Sequence, residues 1–335
     1  MPRLIIPKNY KPVLDTYRKQ RAIEFIKRDF QINLSEYLGV KRVSAPLVVF
    51  SDSGLNDNLN GYERPVSFDI PDIEGSGEIV HSLAKWKRLA LKKYNFNSGN
   101  GLYTDMNAIR RDEEVDNMHS IYVDQWDWEK VIEEKDRNEE FLLDAVDRIV
   151  KAIHKTSIDL KEHTPEIKVE IGDSFYSLTT EELLNMYPDL SPKERENEIC
   201  RKYGIVFLRQ IGDKLSNGER HDGRAPDYDD WKLNGDLLYF NEILDCAFEI
   251  SSMGIRVDKK SMYEQLSKAG ELDRLNLPFH RMLMNDELPL SIGGGIGQSR
   301  LCMLLMGCAH IGEVQASLWD SDTIERCKEA GIDIL

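Results

Sequence analysis

The segment Ser291-Ile-Gly-Gly-Gly-Ile-Gly-Gln-Ser-Arg300 runs directly into the apolar sequence Leu-Cys-Met-Leu-Leu-Met306, which Gly307 ends. Apolar residues, a cluster of glycines and a second apolar run predict a strand, a tight glycine-rich turn and a helix, with Arg300 in the first helical turn. Glycine lets a backbone lie close to an anionic ligand, and a helix N-terminus favours negative charge. The segment therefore predicts a nucleotide site; the alternative is a turn that needs glycine only for packing.

The spacing of these glycines excludes two common nucleotide motifs. No Lys follows Gly297, as a P-loop requires, and Arg300 stands where a dinucleotide-binding fingerprint has its last glycine. The nucleotide site predicted here is therefore of another kind.

The amino-acid composition limits the classes of protein to which the chain can belong. The 335 residues are 41% hydrophobic and 31% charged, which is typical of a soluble globular protein with a full core. A net charge of −15 argues against nucleic acid as the main partner, because phosphate contacts need a basic face. No apolar run reaches the ~18 residues of a membrane span, and no signal peptide is recognisable. Five scattered cysteines without a C-x-x-C motif favour reduced thiols in the cytoplasm over a zinc or disulfide framework.

The first third of the chain predicts a helix, short strands and a basic cluster. Apolar spacing predicts a helix over residues 15–37, followed by a strand over 40–50 and another over about 65–70. Pro46 removes a backbone donor, so it belongs at a sheet edge or a subunit contact. Lys85, Lys87 and Arg88 form either a solvated helix face or a cationic site for an anionic substrate.

Two strands are predicted over residues 101–110 and 119–129, joined by the charged loop 111–118. Alternation places Ile121, Val123, Gln125 and Asp127 on one face of the second strand. A face that changes from aliphatic to polar while staying in register is either a pocket wall or a strand end emerging into water.

The next part of the chain predicts mainly structural elements. Residues 137–158 have helical spacing, capping boxes begin short helices after Thr179 and Ser191, and residues 205–208 read as a buried strand. The polar segment 212–231, rich in Gly and Asp, is either a surface loop or an active-site loop, and its mixture of charges and aromatic residues favours the second.

An antiparallel hairpin is predicted over residues 236–241 and 247–253, with a turn at 234–235. Glu249 and Ser251 are expected on one face, opposite Phe248 and Ile250, and Gly254 is expected to allow a bulge that redirects Arg256. A carboxylate and an Arg close together suit a metal–phosphate and carboxylate site, or a simple cross-strand ion pair.

The order of these pieces resembles the three motifs of class II aminoacyl-tRNA synthetases. The correspondence runs through the helix and Pro46 strand, the strand–loop–strand with Arg110, and the glycine-rich segment with Arg300. The resemblance implies an α/β (α+β) catalytic domain with a mainly antiparallel sheet flanked by helices. It also implies a dimer interface at the first motif and ATP-phosphate arginines in the other two.

A closer resemblance, over nearly the whole chain, is to ammonia-dependent asparagine synthetase (aspartate–ammonia ligase). Between Trp231 and Asn234 the chain is shorter than that family leads us to expect. The matching stretches are His81-Ser-Leu-Ala-Lys-Trp-Lys-Arg88, Tyr122-Val-Asp-Gln-Trp-Asp-Trp-Glu129, Arg224-Ala-Pro-Asp-Tyr-Asp-Asp-Trp231, Phe248-Glu-Ile-Ser-Ser-Met-Gly-Ile-Arg256 and Ile292-Gly-Gly-Gly-Ile-Gly-Gln-Ser-Arg-Leu301.

This resemblance implies roles for particular residues. Lys87 and Arg256 look like the cationic clamp for a carboxylate of aspartate, and Lys87, Arg110 and Arg300 are the implied catalytic residues. The implied substrate-binding residues are Asp57, Ser82, Lys87, Gln125, Asp127, Arg224, Asp229, Ser251, Ser252 and Arg256. The implied ATP-binding residues are Arg110, Asp229, Asp236, Glu249, Ser251, Gly293, Gly294, Gly295 and Arg300. Asp236 and Glu249 look like the ligands of Mg²⁺.

The activity that the resemblance implies is asparagine synthesis from aspartate, ammonia and ATP through a β-aspartyl-adenylate, with release of AMP and pyrophosphate. The expected organisation is one catalytic domain over residues 1–335, which forms a homodimer through residues 1–50, in the cytoplasm, without nucleic acid or membrane partners. A carboxylate at Asp57 or Asp127 is the hypothetical base that deprotonates ammonia.

Three alternatives share some of these features. An aspartyl- or asparaginyl-tRNA synthetase needs tRNA-binding modules, for which about 35 residues on either side of the motifs are too few. One common glutamine-dependent amidotransferase uses an N-terminal Cys, whereas this chain begins with Met1 and has its first Cys at position 200. A catalytically inert nucleotide-binding dimer has no need to keep every charged residue of the site.

Overall fold

The computed structural model describes residues 4–57, 59 and 63–335. The helices are α1 Thr16–Leu38, α2 Ala84–Lys93, α3 Glu139–His163, α4 Thr180–Met186, α5 Pro192–Tyr203, α6 Lys259–Ala269, α7 Pro278–Met284, α8 Gln298–Met306 and α9 Ser321–Glu329. The strands are β1 Val40–Arg42, β2 Val48–Phe50, β3 Ser67–Asp69, β4 Ser76–Ile79, β5 Gly101–Ile109, β6 Tyr122–Val131, β7 Tyr176–Thr179, β8 Ile205–Arg209, β9 Asp229–Asn241, β10 Cys246–Arg256 and β11 Ser291–Gly297.

Eight strands form one sheet in the order β1-β5-β6-β11-β10-β9-β8-β7. The two outermost pairs, β1 with β5 and β7 with β8, are parallel, and the pairs between them are antiparallel. Helices α1 and α3 pack together, and their apolar faces join one side of the sheet in the main core around Phe30, Trp126 and Trp128. The predicted α+β class with a mainly antiparallel sheet and flanking helices is confirmed.

Several local predictions are also confirmed. Helices α1 and α3 correspond to the helices predicted over 15–37 and 137–158. Thr179 and Ser191 each form a capping box, in which the cap hydroxyl accepts from the backbone N–H of a Glu three residues on, and that Glu side chain accepts from the backbone N–H of the cap residue.

None of the helices in the described ranges is long and apolar enough to cross a membrane. The five cysteines are free and buried.

The single strand predicted over 40–50 is wrong, because the chain divides there. Residues 40–42 form β1 at the edge of the large sheet, whereas 48–50 form β2 in a separate three-stranded sheet, β2-β4-β3. Pro46 lies in the connection between the two strands, where its missing N–H interrupts no ladder.

The two predicted glycine turns lie inside strands. Gly293, Gly294 and Gly295 belong to β11, which leads straight into α8 at Gln298, and the 234–235 pair lies within β9. A Cβ at Gly294 would lie 2.7 Å from the carbonyl oxygen of Ser252 on the neighbouring strand β10. Glycine is used here for close strand-to-strand approach, which a sequence cannot distinguish from a turn.

Candidate active site

A cavity of about 600 Å³ opens on the polar face of the central strands. Along β6, Trp126 and Trp128 point into the main core, so the intervening Gln125 and Asp127 point the other way and line the cavity. The predicted pocket wall is therefore correct, and the strand does not emerge into water there.

The cavity brings together nearly all the residues that the sequence singled out. Ser251 and Gly293 are absent from its lining. The predicted residues that line it are Asp57, Ser82, Lys87, Arg110, Gln125, Asp127, Arg224, Asp229, Asp236, Glu249, Ser252, Arg256, Gly294, Gly295 and Arg300. Part of the segment 212–231 also contributes to the lining, through residues 222–225, 228 and 229, which supports its interpretation as an active-site loop.

A strand irregularity explains why Ser251 is displaced. The register of β10 against β9 shifts between Glu249 and Ser251, so Ser252, opposite Asp236, shares the cavity face with Glu249. Ser251 instead donates its hydroxyl to the carbonyl of Gly295 at 2.9 Å. The expectation that Glu249 and Ser251 share a face is wrong, because a bulge at Ile250 reverses the alternation. The second predicted bulge, between Gly254 and Arg256, is confirmed.

Lys87 lies at the buried end of the cavity. Its ammonium donates to the carbonyl of Gly294 at 2.7 Å and lies 3.1 Å from Asp127 Oδ2. Burial lowers the pKa of Lys87, while the carboxylate of Asp127 acts in the opposite direction. The neighbouring Lys85 and Arg88 are buried as well, so the basic cluster on α2 is not a solvated helix face.

Asp57 is held against the start of α2. The hydroxyl of Ser82 donates to Asp57 Oδ2 at 2.9 Å, and His81 Nδ1 lies 3.0 Å from the Asp57 carbonyl oxygen. The side chain of Asn56 accepts from the backbone N–H groups of Asp57 and His81. These contacts fix a carboxylate, 3% exposed, at the wall of the cavity.

Arg256 is surrounded by carboxylates. Its Nε lies 3.0 Å from Glu129 Oε1, its Nη2 lies 2.7 Å from Glu129 Oε2, and its Nη1 donates to Asp229. Charge pairing raises the pKa of this guanidinium against the effect of burial. A guanidinium has five N–H groups, so two remain after these three contacts. Arg256 can therefore bind a further carboxylate from the cavity.

Glu129 was not among the predicted site residues. It is fully buried, accepts from Ser291 at 2.7 Å and forms the main ion pair of Arg256. The alternation that places Gln125 and Asp127 on one face of β6 also reaches Glu129, so the signal was present. Tyr228 was missed too; its ring lies 5.8 Å from Arg256 Cζ and it lines the cavity. The aromatic residues of segment 212–231 favoured an active-site loop, but no sequence pattern gave Tyr228 a role of its own.

A second group of charges lies on β9 and β10. Arg224 donates to Asp236 Oδ1 at 2.6 Å and to the hydroxyl of Ser252. Burial raises the pKa of Asp236 to about 7; Arg224 opposes this rise, and the nearby charge of Glu249 adds to it. Burial acts to raise the pKa of Glu249 too, but Arg300 and Arg224 outweigh burial and lower it. One carboxylate held charged beside another that is harder to charge suits a site for a cation.

The two arginines predicted to bind phosphate have free donors. Arg300 Nη1 donates to the carbonyl of Glu249 at 3.0 Å, and 3.5 Å separates it from the Glu249 carboxylate. Arg110 Nη1 lies 3.8 Å from Glu113 Oε2, and its buried Nε has no partner among the described residues. Weakly engaged guanidinium groups that line a cavity are available to an anionic ligand.

The acidic side chains of the cavity can be compared with the ligands that a metal ion needs. No cluster of three or more His, Cys, Asp or Glu side chains with metal-binding geometry occurs within residues 4–57, 59 and 63–335. Mg²⁺ is commonly held by only one or two carboxylates together with substrate phosphates. Asp236 and Glu249 fit that donor set.

Comparison with known proteins identifies related enzymes. Residues 17–331 match the model of the aspartate-ammonia ligase family. An aspartate–ammonia ligase of Ligilactobacillus salivarius is 56% identical over 334 residues, covering 99% of both chains. Another, of Lactiplantibacillus plantarum, is 58% identical over 317 residues, covering 94% of this chain and 98% of the relative.

Solved structures with a similar fold are class II aminoacyl-tRNA synthetases. Asparaginyl-tRNA synthetase from Pyrococcus horikoshii, complexed with asparaginyl-adenylate, has a TM-score of 0.63 at 14% identity, covering 90% of this chain and 70% of that one. The Entamoeba histolytica enzyme with the same adenylate has a TM-score of 0.61 at 14% identity, covering 89% and 66%. At this identity the similarity shows the fold alone.

Proposed function

Because the chain belongs to the aspartate–ammonia ligase family, it is an ATP-dependent ligase that makes asparagine from aspartate and ammonia, and we propose that the cavity on the central strands carries out both steps through a β-aspartyl-adenylate. The observation that carries this mechanism is the charge distribution of the cavity. Lys87 and Arg256 supply buried positive charge at one end, and Arg110 and Arg300 supply guanidinium groups with free donors at the other.

Aspartate binds at the end with Lys87 and Arg256. One carboxylate of the substrate is fixed by the Lys87 ammonium and the two remaining N–H groups of Arg256. The substrate amino group is fixed by acceptors on the facing wall, from Asp57, Gln125 and Asp127. Ser82, Arg224, Asp229 and Ser252 complete the surroundings, and Ser251 acts from behind through the Gly295 carbonyl.

The first step makes the β-carboxylate a better electrophile. An oxygen of the β-carboxylate attacks the α-phosphorus of ATP, the bond from that phosphorus to the bridging oxygen breaks, and pyrophosphate leaves. Negative charge develops on the α-phosphate oxygens, where Arg110 and Arg300 stabilise it. The glycines of β11 leave the backbone bare beside the nucleotide, since Gly294 and Gly295 line the same cavity. Positioning both reactants in line supplies much of the acceleration.

Asp236 and Glu249 are the residues that hold Mg²⁺ in this proposal. When bound, the ion neutralises charge on the ATP phosphates. Arg224 keeps Asp236 in place through its hydrogen bond, and Asp236 and Glu249 line the same cavity on neighbouring strands. Asp229, which is bound to Arg256, connects this group to the aspartate end.

The second step is attack by ammonia on the acyl carbon. The nitrogen forms the amide bond, the acyl–oxygen bond breaks, and AMP leaves with the electron pair of that bond. Asp127 is the better of the two candidate bases, because its Oδ1 is buried without a partner among the described residues. Both oxygens of Asp57 already accept hydrogen bonds, from Leu59 N and Ser82 Oγ.

An Asp127→Asn variant tests the base. Because Asp127 also contacts the substrate amino group in this scheme, KM for aspartate should rise. At saturating aspartate the variant should keep pyrophosphate exchange and lose asparagine formation by about 100-fold or more, the usual contribution of a general base. Unchanged asparagine formation together with unchanged exchange would exclude this role.

The overall mechanism is tested with purified protein, aspartate, ATP, Mg²⁺ and ammonium in the absence of tRNA. Equal yields of AMP and asparagine support it. Aspartate-dependent pyrophosphate exchange without asparagine would contradict the second step, and release of ADP instead of AMP would contradict the adenylate.

We also propose that residues 1–335 act as one catalytic unit, in the cytoplasm, as a homodimer through α1 and the segment around Pro46. The location is supported by the five free cysteines. The dimer is supported by exposed apolar side chains on or near these elements, namely Val13, Tyr17, Ile32, Leu47 and Phe50. Sedimentation of a Tyr17→Glu, Ile32→Glu double variant tests it, with a shift from dimer to monomer as the expected result.

A further inference from the structure

A buried carboxylate that the mechanism does not use lies directly behind the cavity. Asp227 is 1% exposed, and its Oδ2 accepts from Lys85 Nζ at 3.1 Å, from His280 Nε2 at 2.9 Å and from Arg274 Nη1 at 3.2 Å. We call these four residues the Asp227 cluster. Burial alone would raise the pKa of Asp227, but Lys85, His280 and Arg274 outweigh burial and hold the pKa far below its usual range. The carboxylate is therefore a fixed negative charge.

The cluster joins elements that are distant in sequence. Lys85 lies on α2, two residues before Lys87, and Asp227 lies between Arg224 and Asp229. His280 lies on α7, which belongs to a separate apolar cluster. An ion pair between Lys85 and Asp227 thus ties the helix that carries Lys87 to the segment that carries Asp229.

The same cluster also supports the segment that leads to Asp57. Gly54 has a positive φ of 72°, and a Cβ there would lie 2.8 Å from Leu277 Cβ and 3.3 Å from His280 Nδ1. The turn at Gly54 therefore rests on α7 with no space for a side chain. His280 contacts this turn on one side and Asp227 on the other.

We propose that Asp227 is a positioning residue for aspartate, whose cluster sets the mutual positions of the three segments that carry Asp57, Lys87 and Asp229. This inference rests on the proposed function, in which those side chains contact aspartate. Buried charges that are paired with each other favour one arrangement of their elements, because another arrangement leaves a buried charge without its partner. Asp227 itself does not touch the reacting atoms in this scheme.

The phosphate-binding side of the cavity is held differently. Among the described residues, Arg110 pairs with Glu113, and Arg300 with Glu249. Neither of these pairs includes a member of the Asp227 cluster. Disturbing the cluster should therefore change the binding of aspartate and leave the binding of ATP nearly unchanged.

The test uses Lys85→Met, which keeps the length of the side chain and removes its charge, and Asp227→Asn, which keeps the shape of the carboxylate. Lys92→Met on the same helix is the matched control, because Lys92 forms an exposed ion pair with Glu287 at 3.1 Å. Aspartate-dependent pyrophosphate exchange gives KM for aspartate and for ATP separately, and thermal melting reports the fold.

We expect each cluster variant to raise KM for aspartate about tenfold or more while changing KM for ATP less than about twofold, since small misplacements of binding groups have large kinetic effects. Equal changes in both constants, or a lower melting temperature with both constants unchanged, would overturn the inference by reducing the cluster to a structural role. If the Asp227→Asn protein does not fold, the Lys85→Met protein alone tests the inference, because in that variant Asp227 keeps Arg274 and His280 as partners. A wild-type protein without exchange would instead contradict the proposed function.

Discussion

The side chain of Glu129 occupies the space that a side chain at Gly293 would need: a Cβ on Gly293 would overlap the Glu129 carboxylate and lie 2.6 Å from Arg256 Nη2. The two residues face each other across β11 and β6, where Gly293 pairs with Glu129. The missing side chain of Gly293 is what allows the Glu129–Arg256 ion pair to lie flat against the sheet. The glycine-rich segment therefore leaves space for the ion pair that holds Arg256 at the cavity.

A Gly293→Ala substitution should break that ion pair. Displacing Glu129 leaves the charge of Arg256 compensated only by Asp229, and breaking a buried pair costs about 3 kcal/mol or more. We expect a loss of that size in the free energy of unfolding, measured by urea denaturation, with KM for aspartate raised. Gly172→Ala is the control, since a Cβ there meets only Ile205 at 3.5 Å. A Gly293→Ala protein as stable as this control would contradict the prediction.

A Gly295→Ala substitution should affect activity more than stability. A Cβ at Gly295 would lie 2.5 Å from Gln125 Oε1 and 2.8 Å from Asp127 Oδ1, which are ends of side chains that can shift. The polar groups predicted to bind aspartate would move, so we expect KM for aspartate to rise about tenfold. The free energy of unfolding should change by only about 1 kcal/mol, as is usual for single substitutions without a buried backbone clash.

Gly294→Ala provides the contrast, because its Cβ would meet the Ser252 carbonyl oxygen at 2.7 Å and Met253 Cβ at 2.6 Å. Those atoms belong to the neighbouring strand and cannot move independently. Equal losses of stability in the Gly294→Ala and Gly295→Ala proteins would contradict the distinction.

These contrasts show which parts of the site a sequence can predict. Gln125 and Asp127 followed from alternation along one strand, and the same alternation would have included Glu129. The face of Ser251 was predicted incorrectly, because a bulge at Ile250 leaves no mark in the residue types. The Asp227 cluster joins residues 85, 227, 274 and 280, and a periodicity that operates within one element contains no information about such pairing.

The family resemblance identified the residues of the cavity but not their partners. Lys87 and Arg256, the predicted cations of the site, both line the cavity. Their contacts with Asp127, Glu129 and Asp229 depend on the strand order β6-β11-β10-β9, which is a property of the whole sheet. Tertiary contacts of this kind decide how many donors each cation keeps for substrate.

An Arg110→Lys substitution should slow adenylate formation. Lysine cannot present the planar set of N–H groups with which arginine binds phosphate oxygens, so part of the transition-state stabilisation is lost. We expect kcat for aspartate-dependent pyrophosphate exchange to fall about 100-fold, the usual effect of removing one preorganised donor, with KM for aspartate nearly unchanged. Arg111→Lys, at the exposed neighbouring position, is the matched control and should behave as wild type.

His310 predicts a loss of stability in acid that is independent of catalysis. The imidazole is buried, packs edge-on against Trp319 at 4.7 Å, and accepts from the backbone N–H of Gly312 through Nδ1 at 3.0 Å. Burial lowers the pKa of His310 to about 4, and the smaller effect of Asp116 acts against that shift. The folded protein therefore keeps this side chain neutral at pH values where the unfolded chain, with a pKa of about 6.5, is protonated.

Because the unfolded state binds more protons between pH 6.5 and 4, the stability contributed by His310 is complete above pH 6.5 and decreases as the pH falls. At pH 5 the expected loss is about 2 kcal/mol relative to pH 7. A His310→Asn variant keeps an acceptor for the Gly312 N–H but does not titrate, so its free energy of unfolding in urea should depend less on pH by that amount. Identical pH dependence in the two proteins would mean that the imidazole gains its proton without unfolding, and the burial of His310 would then not control acid stability.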